Sequence, residues 1–160
     1  MNETILNGLL NLFAIFASLA KIEPERARKA VNTYLSSHFG IRSHAEYLEL
    51  FDETQSIYTD PDIAIDKEHV ILNVCTQLKP KLIAEEQVLL LLRFMEFAHG
   101  NSREGNLDPS IFRSMAAIFH IDETTFDDML AFVAGRPSDA ILTISASPEA
   151  PDGEKESEEN

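Results

Sequence analysis

Residues 88–97 are apolar at every position except Arg93 and Glu96. The run is preceded by Glu85 and Glu86, whose negative charge suits the electropositive start of a helix, so a helix buried at the centre of a fold is predicted here. A buried helix must be covered on all sides by other elements, which limits the chain to architectures that can supply them.

The remaining sequence supplies helices. A first is predicted over residues 2–20, with Ile5, Leu6, Leu9, Leu12, Phe13, Phe16 and Leu19 facing a core, and Thr4, Asn7, Gly8, Asn11 and Ser18 forming a polar stripe. A second begins near Pro24, since proline is tolerated in a first helical turn, and Gly40 stops it. Ser43-His44-Ala45-Glu46 matches the capping box that opens a third helix reaching Tyr58. The Asp60-Pro61-Asp62 turn leads to a fourth over residues 65–78, and Pro80 separates it from the fifth, the buried one. Residues 100–106 read as a polar loop. Asp108-Pro109 then starts a sixth helix, and Asp122 caps a seventh that ends at Gly135. The fold class is therefore all-α, a bundle of about seven helices over residues 1–135.

Past Gly135-Arg136-Pro137 the pattern changes. Ala140-Ile141-Leu142-Thr143-Ile144-Ser145 is β-branched and apolar, so residues 136–146 are expected to hold a strand, or the start of a following segment, with no partner strand upstream. Residues 147–160 form an acidic, proline-containing tail with too little apolar surface to order itself.

The formal net charge of -14 argues against nucleic acid as a partner, because phosphate is repelled at long range. The densest basic group, Lys21, Arg26, Arg28 and Lys29, contains Glu23 and Glu25 and reads as a solvated helix face. The first helix imitates a signal peptide, yet it carries Glu3, no early Lys or Arg, and a polar stripe, and it is too short to span a membrane. Direct membrane insertion is not expected. The lone cysteine, Cys75, lies in an apolar stretch and is expected to be buried and inert; a reducing compartment, the cytoplasm, is the natural setting.

No catalytic grouping emerges from the spacing of Ser, His, Asp or Cys, and the pairs Asp60/Asp62 and Asp127/Asp128 read as surface acids. No cofactor is expected. Glu96 and His99 are spaced i, i+3, as in carboxylate-bridged metal bundles, with Asp108 and Glu104 as further candidates, but a second Glu-x-x-His is missing. Residues 100–108 fail as a calcium loop, since counting back from Gly105 puts Gly100 where a ligand belongs. Ala14 and Ile15 interrupt the polar stripe of the first helix and are expected to leave apolar surface exposed for a partner.

Two stretches share a shape. Leu19-Ala20-Lys21-Ile22-Glu23-Pro24 to Phe39-Gly40-Ile41 and Asn106-Leu107-Asp108-Pro109 to Phe119-His120-Ile121 each run from a break, through a helix opening with proline, to an aromatic-x-Ile step. With Phe94-Met95-Glu96-Phe97-Ala98-His99-Gly100 and Phe119-His120-Ile121-Asp122, these residues resemble the TerB-like family of tellurite-resistance domains over about residues 3–134. The resemblance implies a helical bundle of two related halves acting as a stress-associated interaction module. The family's Ala-Asp-Gly, implicated in divalent-metal binding, is Ala98-His99-Gly100 here, and Ser18-Leu19-Ala20-Lys21 has no aspartate, so metal binding is not carried over. The expectation is a non-enzymatic interaction or regulatory module, the N-terminal accessory domain of a larger, ATPase- or transport-related protein. Its partner is then another protein or a following domain of the same polypeptide. A divalent-metal sensor is the alternative.

Overall fold

A computed structural model describes residues 3–39, 45–101 and 108–135. These form seven α-helices: α1 (Glu3–Leu19), α2 (Pro24–Phe39), α3 (Ala45–Thr59), α4 (Lys67–Leu78), α5 (Ala84–Asn101), α6 (Ser110–Ile118) and α7 (Glu123–Ala134), with one 3-10 turn at Lys79–Lys81 between α4 and α5. The all-α expectation holds. The expected strand at 140–145, the stop at Gly40 and the cap at Ser43 lie outside the described residues.

The fifth helix is buried as expected, packing against α1, α2, α6 and α7, and α1 is enclosed as well. The latter packs against α2, α3, α4 and α5, and residues 12–17 are all buried, so its apolar side chains reach core on more than one face. Phe13 meets Tyr34, Phe94 and Phe97 at ring centroid distances of 5.0, 4.6 and 5.0 Å, and Phe16 stacks on Phe112 at 5.0 Å. Such aromatic pairs add to simple burial and tie α1 to α2, α5 and α6. The polar stripe of α1 turns out to be in part an internal seam. Tyr58 of α3 donates its hydroxyl to Asn11, while the Ser18 hydroxyl donates to the Tyr58 carbonyl at 3.0 Å. A β-carbon on Gly8 would sit 3.1 Å from Leu78 of α4, so the missing side chain lets those two helices approach.

Caps follow the chemistry of the turns. Asp66 accepts the His69 amide at the start of α4, and Asp122 accepts the Thr125 amide at the start of α7. The sixth helix differs slightly from expectation: Pro109 occupies the cap position in helical conformation, and Asp108 binds the Ser110 amide from one residue earlier. The fifth helix continues through Gly100 and Asn101, both expected in a loop.

Two helix ends share one geometry. Lys21 and His120 have φ of 56° and 57°, the left-handed region that L side chains rarely adopt. At the first, Ile22 N–H donates to Ala17 C=O and Lys21 N–H to Ser18 C=O; at the second, Ile121 N–H donates to Ala116 C=O and His120 N–H to Ala117 C=O. Both are Schellman turns, with alanine three residues before the cap and isoleucine just after the left-handed residue. The α1/α2 and α6/α7 junctions thus repeat, in a register different from the one suggested by the proline and aromatic-x-Ile spacing.

Candidate functional site

Ala14 and Ile15 provide no docking surface. Both are 0% exposed, because α1 is enclosed by helices on the side where solvent was expected.

Among the described residues the exposed large apolar side chains are Leu50, Ile57, Ile63, Ile83 and Leu89, and two of them, Ile83, the most exposed, and Leu89, lie at and just after the junction leading into α5. Lys79–Lys81 turn with Pro80 near the start, and Leu82 is extended, with φ -124° and ψ 141°. Gln87, itself buried, holds this turn by donating its side-chain amide to the carbonyls of Lys79 and Leu82 at 3.1 and 3.0 Å. Ile83 is the residue preceding α5. Its amide donates to the Glu86 carboxylate at 2.9 Å and its carbonyl accepts the Gln87 amide at 3.0 Å, which places it at the N-cap. That is half of a capping box. The other half, a side-chain oxygen for the free amides of the first turn, is absent because the residue is isoleucine.

Ile83 is 62% exposed, and Leu89, less than two turns later, is 45% exposed. Beside them a groove of about 140 Å³ runs between α1, α2 and α5, lined by Ile5, Leu9, Leu82, Leu89 and Leu90, with Tyr34, Glu86 and Arg93 as its polar members. Burial pushes the Tyr34 hydroxyl above its ordinary pKa, and the positive Arg93 guanidinium offsets part of that rise, so the phenol stays neutral and able to donate a hydrogen bond across the physiological range. The groove thus has an apolar floor, with a half-buried tyrosine, a buried arginine and an exposed glutamate in its lining. That composition suits the apolar face of a peptide segment better than bond-making chemistry.

The candidate metal ligands fall in unlike surroundings. Glu96 is buried on α5, His99 lines a different cleft facing α6 and α7, and Asp108 is exposed with its carboxylate occupied by the Ser110 amide. Glu104 lies outside the described residues. Among the described residues no group of three or more His, Cys, Asp or Glu side chains is placed to hold a metal ion. Cys75 is buried, and desolvation pushes its thiol up to about 12. No described helix is long and apolar enough to cross a membrane.

The sequence did carry a sign of Leu89. Five consecutive apolar residues, 88–92, advance through more than a full helical turn, so one of them has to point away from any single core. Ile83 had a weaker sign, an isoleucine where a helix start favours Ser, Thr, Asp or Asn. No family model, curated protein or solved structure matches this chain.

Proposed function

We propose that this chain is a non-enzymatic helical interaction and regulatory module, and that it engages its partner through the groove between α1, α2 and α5. The observation that carries the reading is the exposure of Ile83 and Leu89 beside that groove. Folding gains nothing from an isoleucine at the N-cap that a serine would not provide better, and a leucine left almost half in water adds little to the core. Apolar side chains grouped beside a groove mark surfaces that are covered when a partner is bound.

The fitting partner is a protein segment in helical form. Apolar residues at i, i+3 and i+4 would enter the groove, and basic flanks would complement a protein of net charge -14. The resemblance to TerB-like domains supports the same reading, and with it the place of an accessory domain in a larger ATPase- or transport-related protein.

Site-specific photocrosslinking in cells tests the reading. A photoreactive residue at position 83 or 89 is expected to give discrete protein adducts, and the same residue at exposed positions 46 and 128, on α3 and α7, is not. Equal adducts at all four positions, or none at 83 and 89, would refute the assignment of this face.

A further inference from the structure

Helices α2 and α3 pack together, and between them lies a cleft of about 400 Å³. From α3 it takes Asp52, Gln55, Ser56 and Thr59, whose spacing is that of one helical face, and from the start of α2 it takes Glu25 and Arg28 beside one proline. Helix faces turned toward a neighbouring helix are normally apolar. Here every lining side chain except the proline is polar, so packing alone does not account for the choice of residues. The volume falls in the range of small-ligand sites, ~300–1,000 Å³.

Gln55 is the informative member. It is 4% exposed, and its side-chain Nε2 is buried with no hydrogen-bond partner among the described residues. An amide donor held away from water without an acceptor costs stability, and an apolar side chain of the same size would not carry that cost. The terminal amide turns about a soft torsion, so the same N–H can be presented to an acceptor in the cleft. Two neighbours are already engaged: the Thr59 hydroxyl donates to the Gln55 carbonyl at 2.9 Å, and Arg28 Nε donates to the Asp52 carboxylate at 2.9 Å. The charges set the sign of what can enter. Glu25 and Asp52 outnumber Arg28, and the chain carries a formal net charge of -14, so anions are repelled and cations drawn in.

We propose that this cleft binds a small organic cation in which an ammonium group stands beside a carbonyl oxygen, the chemistry of a peptide's free amino end. The carbonyl accepts from Gln55 Nε2, and the ammonium is held by the carboxylates of Glu25 and Asp52, with Arg28 keeping Asp52 in place. The cleft shares no lining residue with the Ile83 groove, so this site does not depend on the proposed function.

NMR titration of the full 160-residue chain tests this, with trialanine amide, its N-acetylated form and glycinamide as probes. Trialanine amide at millimolar concentration is expected to give a saturable shift of the Gln55 side-chain amide resonances, and the acetylated form, which lacks the ammonium, is expected to give none. Glycinamide binding as well as the peptide identifies a free small molecule as the natural class, and weaker binding identifies a peptide end. Gln55→Met is expected to abolish the binding while raising the thermal midpoint by about 2–4 °C, because the unpartnered donor is gone. Glu25→Gln, at an exposed position, leaves the fold intact and should weaken binding ~5-fold. Absence of a saturable shift at Gln55, equal binding of the acetylated peptide, unchanged affinity in Glu25→Gln, or a lower midpoint in Gln55→Met would each overturn the proposal.

Discussion

Replacing Ile83 by serine should leave stability nearly unchanged while removing the interaction assigned to the groove, and the two opposing terms can be estimated from the structure. Ile83 is 62% exposed, so somewhat more than a third of it is out of water. Full burial of an isoleucine contributes about 1.5–3 kcal/mol, which makes the loss on truncation about 0.8 kcal/mol. Against this, the introduced serine hydroxyl would complete the capping box already half-formed by the Glu86 carboxylate on the residue 83 amide. A good N-cap in place of an apolar one contributes ~1 kcal/mol. The net change is within about 0.5 kcal/mol of zero. Ile83→Ala separates the terms, since it loses the apolar contact and gains no cap; it should be ~0.8 kcal/mol less stable than the parent and ~1 kcal/mol less stable than the serine variant. Urea denaturation at constant m-value measures all three. For comparison, Leu91→Ser, at a position with 0% exposure, should cost at least ~3 kcal/mol. If Ile83→Ser also cost more than ~2 kcal/mol, Ile83 would be a structural residue, and its exposure would no longer argue for a partner.

Other perturbations test the fold and the site separately. Lys21→Gly should stabilise by about 0.5 kcal/mol, because relief of the left-handed strain exceeds the added chain entropy of glycine, whereas Lys21→Ile should destabilise by more than ~1 kcal/mol in the same thermal scans. The Thr125 amide bonding to Asp122 lowers that carboxyl's pKa from its ordinary 3.8. A folded pKa below the unfolded one contributes stability that is present above pH 3.8 and is lost as pH falls through the folded value, so the midpoint difference between the parent and Asp122→Ala should shrink on acidification below about pH 4. An undiminished gap would show that the cap does not act through its charge. Cys75, with its thiol pushed up to about 12, should resist a disulfide reagent at about pH 8 in the native protein and react fully in denaturant; fast native labelling would mean the core opens around α4. Zinc, manganese or calcium at millimolar concentration should leave the thermal midpoint in place, and a rise of several degrees would revive Glu96 and His99 as ligands.

Helices were legible in the sequence because period and punctuation agree: Pro24 begins a helix, and Asp122 and Gly135 bracket α7. That α1 is enclosed as well as α5 was not legible. Both α1 and α5 are strongly apolar, and a one-dimensional pattern cannot tell a helix covered on several faces from one whose surplus side chains remain outside. In α1 the surplus, Ala14 and Ile15, is enclosed, while in α5 the surplus residue Leu89 faces solvent. The polar residues of α1 misled in the same way, since Asn11 and Ser18 were satisfied by Tyr58, 47 and 40 positions away, instead of by water. Satisfying polar groups across helices is a tertiary event that local spacing does not encode.

The repeated turn shows how a real signal can be found in the wrong place. Proline openings and the aromatic-x-Ile step suggested aligning the start of α2 with the start of α6, but the equivalence in space is between the end of α1 and the end of α6. Glycine usually marks a left-handed residue after a helix, and here lysine and histidine occupy that position, so the usual marker is missing at both ends. The informative residues are the alanines that let the turn close, Ala17 and Ala116, and the isoleucines that anchor it, Ile22 and Ile121. Ala17 and Ile22 are buried, Ala116 is buried and Ile121 half-buried, so each turn is held from the core side and can bear its backbone strain. The Ile83 junction has no such device. It is held by one glutamine side chain and half a cap, and it carries Ile83, the most exposed large apolar side chain among the described residues.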